Sequence, residues 1–295
     1  MNNSDLMVSF EKCVMRSKGS RIQRFCKAPG RMLYTKILDL ISPWRKSPVR
    51  IKAKTFWNED IIVVIPEGVS ATICRYGFFE EGLTRMVLTY LKAGMTFFDI
   101  GSHYGYFTLL SSFLVGLEGQ VHAFEPTPST FNILKDNCLN KSNIFLNNHA
   151  VFSKREMISV NDYGFKYSAY NTIYGSRLPV KILKKLKPNQ YQVEAIPIDE
   201  YVEEKGIKPD FIKIDAESAE YEILLGMSKI IERFQPMISI EVGDIGDQNV
   251  RTSQDPINFL VNKNYQPYEF KDGEIKKHYI STDPYQYDNI LFLPK

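Results

Sequence analysis

A chain of 295 residues, 44% hydrophobic and 13% aromatic, is long and apolar enough for one large α/β domain with a small N-terminal appendage, and its composition excludes a disordered protein. The net charge of +3 conceals an asymmetry: residues 1–54 hold 13 Lys and Arg against 3 Asp and Glu, and the remainder holds 24 against 31, so the balance changes from +10 to −7 near residue 55. No run of 18 apolar residues occurs and the first 30 residues are polar and basic, which argues against a spanning helix and a secretory signal. The four cysteines (Cys13, Cys26, Cys74, Cys138) have no C-x-x-C spacing, which argues for reduced thiols in a cytoplasmic protein rather than a zinc site or disulfides.

The basic segment comes first. Arg16, Lys18, Arg21, Arg24, Lys27 and Arg31 precede Met32-Leu33-Tyr34 and Ile37-Leu38…Ile41, an apolar stripe at helical spacing. Such a segment suits a solvated helix packed on the main domain; it equally suits docking to an anionic membrane surface, on the inner face of a membrane, or to a polyanionic partner. Residues 1–54 therefore read as a basic helical appendage and residues 55–295 as the main domain.

Val49–Lys54 and Ile61–Ile65 read as the strands of a hairpin. Gly82–Leu91 carries apolar residues at helical spacing, with Gly94 placed to cap it. Met95–Ile100 is a buried strand, Tyr106–Leu114 a helix closed by Gly116, and Gln120–Phe124 a strand. Pro128–Leu139 is a helix with proline in its first turn, and Asn143–Leu146 a strand. After residue 197 come strand Phe211–Ile214, helix Ala219–Leu225 and strand Met237–Val242. Helix Pro256–Val261 and strands Tyr265–Phe270 and Asn289–Leu293 complete the chain. Alternating apolar strands and helices predict a parallel sheet covered on both faces.

Between residues 150 and 197 the alternation fails. Met157–Val160 and Gln192–Ile196 have strand character, Asp162–Ser176 is rich in Tyr, Asn, Gly and Ser, and Lys181–Lys187 is basic. An insertion of this size, 151–197, is expected to form a lid that supplies substrate contacts. Tyr163, Tyr167, Tyr170 and Tyr174 suit stacking on a sugar as well as they suit packing a lid.

The chemistry begins at Phe97-Phe98-Asp99-Ile100-Gly101-Ser102-His103-Tyr104-Gly105, where a hydrophobic strand enters a glycine turn and then a helix. Gly101 allows a sharp turn, Gly105 allows close approach at the helix start, and the free N–H groups there can face a polar ligand. Glu125, 24 residues past Gly101 at the end of the next strand, can accept both ribose hydroxyls of a nucleotide. The loop reads G-x-x-x-G; His103 stands where a pyrophosphate-binding turn needs its middle glycine. That disfavours a nicotinamide dinucleotide and favours S-adenosylmethionine, whose methionine tail carries no phosphate and whose cationic groups suit a carboxylate such as Asp99.

These residues, with Asn148-His149-Ala150 and Phe211-Ile212-Lys213-Ile214-Asp215-Ala216-Glu217-Ser218-Ala219-Glu220, resemble the FkbM-type methyltransferases over roughly residues 95–245. The resemblance implies an α/β class I methyltransferase (Rossmann-like) three-layer sandwich, with a mostly parallel seven-stranded sheet whose last strand is antiparallel. It implies S-adenosylmethionine as donor and a hydroxyl of a saccharide, glycolipid or natural product as acceptor. Asp99, Gly101, Ser102 and Gly105 would line the donor loop, Glu125 and Pro126 the ribose, and Asn148, His149 and Ala150 the adenine. The family usually has glycine after the glutamate of the fourth-strand block; here Ser218 stands there.

A hydroxyl acceptor benefits from a general base worth about 10²–10⁴ in rate. Asp215 is the first candidate, ending the fourth strand two residues after Lys213 on the same face. Glu217, Glu241 and His103 follow. Each has a plainer role: Lys213 and Asp215 as an ion pair, Glu217 as a helix cap, His103 as a loop surface residue. A metal held by Asp215, Glu217 and Glu241 lacks His or Asn companions. Two rival functions remain, a nicotinamide-dependent oxidoreductase and a non-catalytic cofactor-binding module docked through its basic N-terminus. Nucleic acid is disfavoured as acceptor, because no Asn/Asp-Pro-Pro-Tyr/Phe loop is present.

Overall fold

In the computed structural model, residues 3–42, 48–174, 177–244 and 251–295 are described. Residues 43–47 of the basic segment and Gly175 and Ser176 of the tyrosine-rich stretch lie outside them. Three helices lead: α1 (Asn3–Ser17), α2 (Arg21–Lys27) and α3 (Pro29–Ile41). In α1, Leu6, Phe10, Cys13 and Val14 recur at helical spacing and are all buried. Phe10 packs on Phe56 and Phe78, with ring centroids 4.9 and 5.4 Å apart. β1 (Val49–Lys54) pairs antiparallel with β2 (Asp60–Ile65). The change of charge at residue 55 thus falls at the tip of a hairpin, and α1 shares the core of the chain that follows it.

Helices α4 (Gly68–Tyr76) and α5 (Glu81–Tyr90) precede β3 (Thr96–Ile100). Helix α5 stops at Leu91 rather than at the expected Gly94, whose N–H instead bonds the Val115 carbonyl. Next come α6 (Tyr106–Val115), β4 (Gln120–Phe124), α7 (Pro128–Cys138) and β5 (Ile144–Asn147). The insertion supplies β6 (Ala150–Val151), β7 (Glu156–Asp162), a 3-10 helix (Phe165–Tyr170), α8 (Val180–Leu183) and β8 (Asn189–Ile196). Its strands form a separate sheet in the order β6-β8-β7. Then follow α9 (Ile198–Lys205), β9 (Phe211–Ile214), α10 (Glu220–Leu225), α11 (Ser228–Phe234) and β10 (Met237–Val242). The chain closes with α12 (Gln254–Asn262), β11 (Tyr265–Lys271), β12 (Glu274–Lys277) and β13 (Asp288–Pro294).

The main sheet has the order β12-β11-β13-β10-β9-β3-β4-β5. Its core strands are parallel, and β13 inserts antiparallel between β10 and β11. This is the expected doubly wound sheet with one strand more than seven. The addition is β12, which turns back on β11 through Asp272 and Gly273, both at positive φ as a tight hairpin requires. Alternation along each strand sends Phe97 and Phe211 into one core and Phe98 and Ile212 into the other. The first core carries α1, α5, α6 and α7; the second carries α9 to α12.

Because Phe10 is fully buried against two rings, Phe10→Ala is expected to cost about 3–5 kcal/mol. Calorimetry should show the whole chain melting earlier in one transition. Loss of a minor early transition alone would mean that α1 is separable.

Candidate functional site

The strand order reverses between β3 and its neighbours β4 and β9, and a ligand crevice belongs outside the carboxyl ends of strands at such a point. A cavity of about 600 Å³ lies there. Its wall is built from the segments after β3 (Gly101, Ser102, His103), after β4 (Glu125, Pro126, Thr127) and after β9 (Asp215, Ala216, Glu217). Glu241 of β10, His149, Ala150 and Lys213 also line it. Asp99, Gly105 and Asn148 do not.

The two glycines serve the backbone. Gly101 has φ +77°, and a Cβ there would sit 1.7 Å from the Asp215 carbonyl oxygen, so the β3 loop lies directly on the end of β9. Gly105 has φ +91°, and a Cβ would meet Leu134 of α7 at 2.6 Å. Asn148 bonds the carbonyls of Glu125 (2.8 Å) and Pro126 (3.1 Å), fixing the turn after β4 from behind.

Glu125 is buried, and each of its oxygens accepts one backbone N–H: Oε2 from His103 (3.0 Å) and Oε1 from Thr127 (2.9 Å). Burial pushes its carboxyl up to about 7 in spite of those bonds. The Thr127 side chain bonds the carboxylate as well, and Glu125 lines the cavity wall.

His103 does not lie on the loop surface. Its ring stacks on Tyr104 with centroids 3.9 Å apart, and Nε2 meets Ser168 Oγ at 2.8 Å. The Tyr104 hydroxyl meets the same Ser168 oxygen at 2.9 Å. Burial lowers the imidazole pKa to about 3, so the ring is neutral and a weak base. Ser168 belongs to the 3-10 helix, and one hydroxyl therefore ties the insertion to the donor loop.

Lys213 is fully buried between two carboxylates, 3.1 Å from Asp99 and 3.3 Å from Asp215, and donates to the Gly101 carbonyl at 2.9 Å. Burial opposes its charge, but Asp99 and Asp215 outweigh it and raise its pKa. Asp99 also accepts from Thr108 at 2.6 Å. It is turned into the protein rather than toward a cationic ligand. The side chain of Asp215 is 24% exposed, and it lines the cavity.

A second cation, Arg177, enters from the insertion. Its guanidinium meets Glu241 at 2.5 Å and Glu217 at 3.7 Å, and lies over the Tyr287 ring at 5.7 Å. Burial raises the Glu217 carboxyl to about 8 with Arg177 opposing, and burial also raises Glu241 well above the usual range. Two buried glutamates competing for one guanidinium take up a proton near neutrality. Glu217 caps no helix: α10 has no side-chain cap, and Glu220 at its start instead accepts from the N–H groups of Ala216 and Ser218 in the preceding turn, each at 3.2 Å. Asp215, Glu217 and Glu241 are thus held by Lys213 and Arg177 rather than gathered as a ligand set.

Nothing in the sequence marks Arg177 or Ser168, because each is a single polar residue in an aperiodic stretch. Tyr287 is likewise unmarked, although it lines the cavity and donates to Glu80. Of the four insertion tyrosines, Tyr170 lines the cavity and Tyr174 packs on the second core.

The family pattern described as a methyltransferase FkbM domain matches residues 99–267, more than half of the chain. The chain belongs to the FkbM methyltransferase family. The sheet order described above is that of the class I methyltransferase fold, with β12 added. Solved structures similar to the chain include an FkbM methyltransferase from Methylobacillus flagellatus KT, 17% identical. It is covered over 68% of this chain and 44% of its own, with a TM-score of 0.42. The match therefore spans less than half the length of that protein. A SAM-dependent methyltransferase from Aquifex aeolicus is 12% identical over 71% of this chain and 87% of its own, with a TM-score of 0.38. Aeropyrum pernix fibrillarin with bound S-adenosyl-L-methionine is 11% identical over 83% of this chain and 98% of its own, with a TM-score of 0.41. No curated protein matches the chain.

The family's glycine after the fourth-strand glutamate is Ser218 here, at φ +80°, a left-handed conformation that disfavours a side chain. Ser218→Gly should stabilise the protein by about 1 kcal/mol, read from urea unfolding; a destabilised variant would show that the serine is not strained.

The raised carboxyls set a pH dependence. Glu125, Glu217 and Glu80 all have folded pKa values above the unfolded 4.5, near 7, 8 and 7. The folded state therefore holds more protons than the unfolded one between pH 4.5 and about 8. The stability linked to these groups is present in full below pH 4.5 and is lost as pH rises through about 8. The melting temperature should fall over that range, and Glu217→Gln should make the fall shallower. An unchanged slope in the variant would place its proton elsewhere.

Proposed function

We propose that this protein transfers a methyl group from S-adenosylmethionine to a hydroxyl of a saccharide, glycolipid or hydroxylated small metabolite. The observation that carries the reading is Glu125: a buried carboxylate, preset by two backbone N–H groups, at the wall of a cavity of about 600 Å³. Two adjacent acceptors suit a ribose diol, and the volume lies within the range of small-molecule sites. His149 Nδ1, buried and without a hydrogen-bond partner, stands beside Ala150 where an adenine edge would lie. A pyrophosphate would instead meet the His103 side chain, which speaks against a nicotinamide dinucleotide.

S-adenosylmethionine supplies an electrophilic methyl carbon on a sulfonium. The chain's own residues have to hold the acceptor in line and take its proton, and alignment alone lowers the barrier by several kcal/mol. Asp215 is the group we assign as base. It lines the cavity, is partly open to it, and is oriented by Lys213 from the far side. Lys213 and Asp99 then act as positioning residues, fixing Asp215 and the Gly101 turn with one ammonium. Arg177 and Tyr287 close the acceptor side, and Glu217 and Glu241 hold Arg177 there.

Glu125→Ala should weaken binding of radiolabelled S-adenosylmethionine about 100-fold, roughly 3 kcal/mol, the worth of two charge-assisted hydrogen bonds. Asp215→Asn should keep that affinity and lower turnover by about 10²–10⁴. Retained affinity in the first variant would count against the cradle, and full turnover in the second would remove Asp215 as base.

A further inference from the structure

The inner face of α3 is anchored to α4. Leu38 is buried against Ile65 and Ala71, Arg75 Nε donates to Thr35 at 2.9 Å, and Arg75 pairs with Asp39 at 3.5 Å. The opposite face is apolar and uncovered. Leu33, Tyr34, Ile37, Leu40 and Ile41 fall on one stripe at helical spacing, and all are exposed. Ile22 and Phe25 of α2 are exposed as well, giving a set between 41% and 77% exposed. A soluble protein rarely leaves such a set bare without a partner.

The surrounding charge says which partner. Arg21, Lys27 and Lys36 are exposed, and Arg24 and Arg31 are half-buried. Asp39 is the single acidic residue between Lys12 and Asn58, and it is turned inward to Arg75. Lys36 sits on the rim of the stripe, one turn from Leu33 and from Leu40. Exposed aliphatic and aromatic residues ringed by cations match a bilayer interface with anionic headgroups. A face meant for a second copy of this chain would set those cations against each other.

We infer that the α2–α3 face docks this protein on an anionic membrane surface, with Leu33, Ile37 and Leu40 entering the headgroup–acyl boundary. The body of α3 and then α4 stand between this face and the cavity. Ala71 and Arg75 of α4 meet α3, and Val69, Thr72 and Ile73 line the cavity wall. The inference does not depend on the reaction assigned to that site.

The test is co-sedimentation of the full chain with phosphatidylcholine vesicles, with and without phosphatidylglycerol. Binding should require phosphatidylglycerol and weaken in high salt. Arg21→Gln with Lys36→Gln should reduce it about 25-fold, since each cation near such a surface contributes about fivefold. Ile37→Asp with Leu40→Asp should abolish it while leaving the melting temperature unchanged, because both side chains are exposed. Cys26 is exposed while the other three cysteines are buried. A polarity-sensitive fluorophore on Cys26 in the otherwise unaltered chain should therefore shift to the blue on anionic vesicles. No dependence on phosphatidylglycerol would overturn the inference, as would full vesicle binding by the Ile37→Asp/Leu40→Asp variant. So would a dimer in sedimentation velocity that this variant dissociates and that does not bind vesicles.

Discussion

The Lys213 ammonium is the constraint on which the site depends. It sits without exposure among Asp99 of β3, Asp215 beyond β9 and the Gly101 carbonyl of the turn between them. A buried cation is tolerated only when it is paired and hydrogen-bonded on every side. That requirement joins the ends of two central strands at one point. Gly101 can then lie against the Asp215 carbonyl only because it has no side chain. The donor loop, the assigned base and the strand register are consequently one unit.

Around that unit the sheet and the parts of its edge that face the ligand were legible in the sequence. Apolar strands such as Phe97-Phe98 and Phe211-Ile212 are buried on both faces, and their composition says so directly. The spacing of Gly101, Gly105 and Glu125 likewise placed a turn and a carboxylate where the structure has them. Roles were harder to read than places. Asp99 has the residue type for a cationic ligand, but the cation that claims it lies 114 residues away on β9. Glu217 has the position of a helix cap, but its side chain is held by Arg177, and Glu220 is the residue whose carboxylate braces the turn. Periodicity finds elements; it does not tell which of two neighbouring carboxylates turns inward.

The N-terminal segment shows the reverse difficulty. Its charge and stripe were plain, and the natural reading of an apolar stripe is a buried face. In α1 that reading holds, through Phe10 and its neighbours. In α3 the helix buries Thr35 and Leu38 and leaves the greasier side out. The reason is local: Arg75 needs the Thr35 and Asp39 side chains, and their bonds fix the rotation of the helix about its axis. Polar contacts of this kind are specified by geometry between segments and leave no period in the sequence.

Among the described residues, the insertion meets the donor side of the site through Ser168 and Asn171, and the carboxylate side through Thr172, which donates to the Glu217 carbonyl, and Arg177. Part of the insertion packs on itself in a small sheet of its own, while Ile173 and Tyr174 pack on the second core. A different loop could be exchanged into this scaffold, and with it a different acceptor preference, provided it returned these polar contacts and the packing of Ile173 and Tyr174. Loops free to vary in this way let one catalytic frame diversify while its strand ends stay as they are.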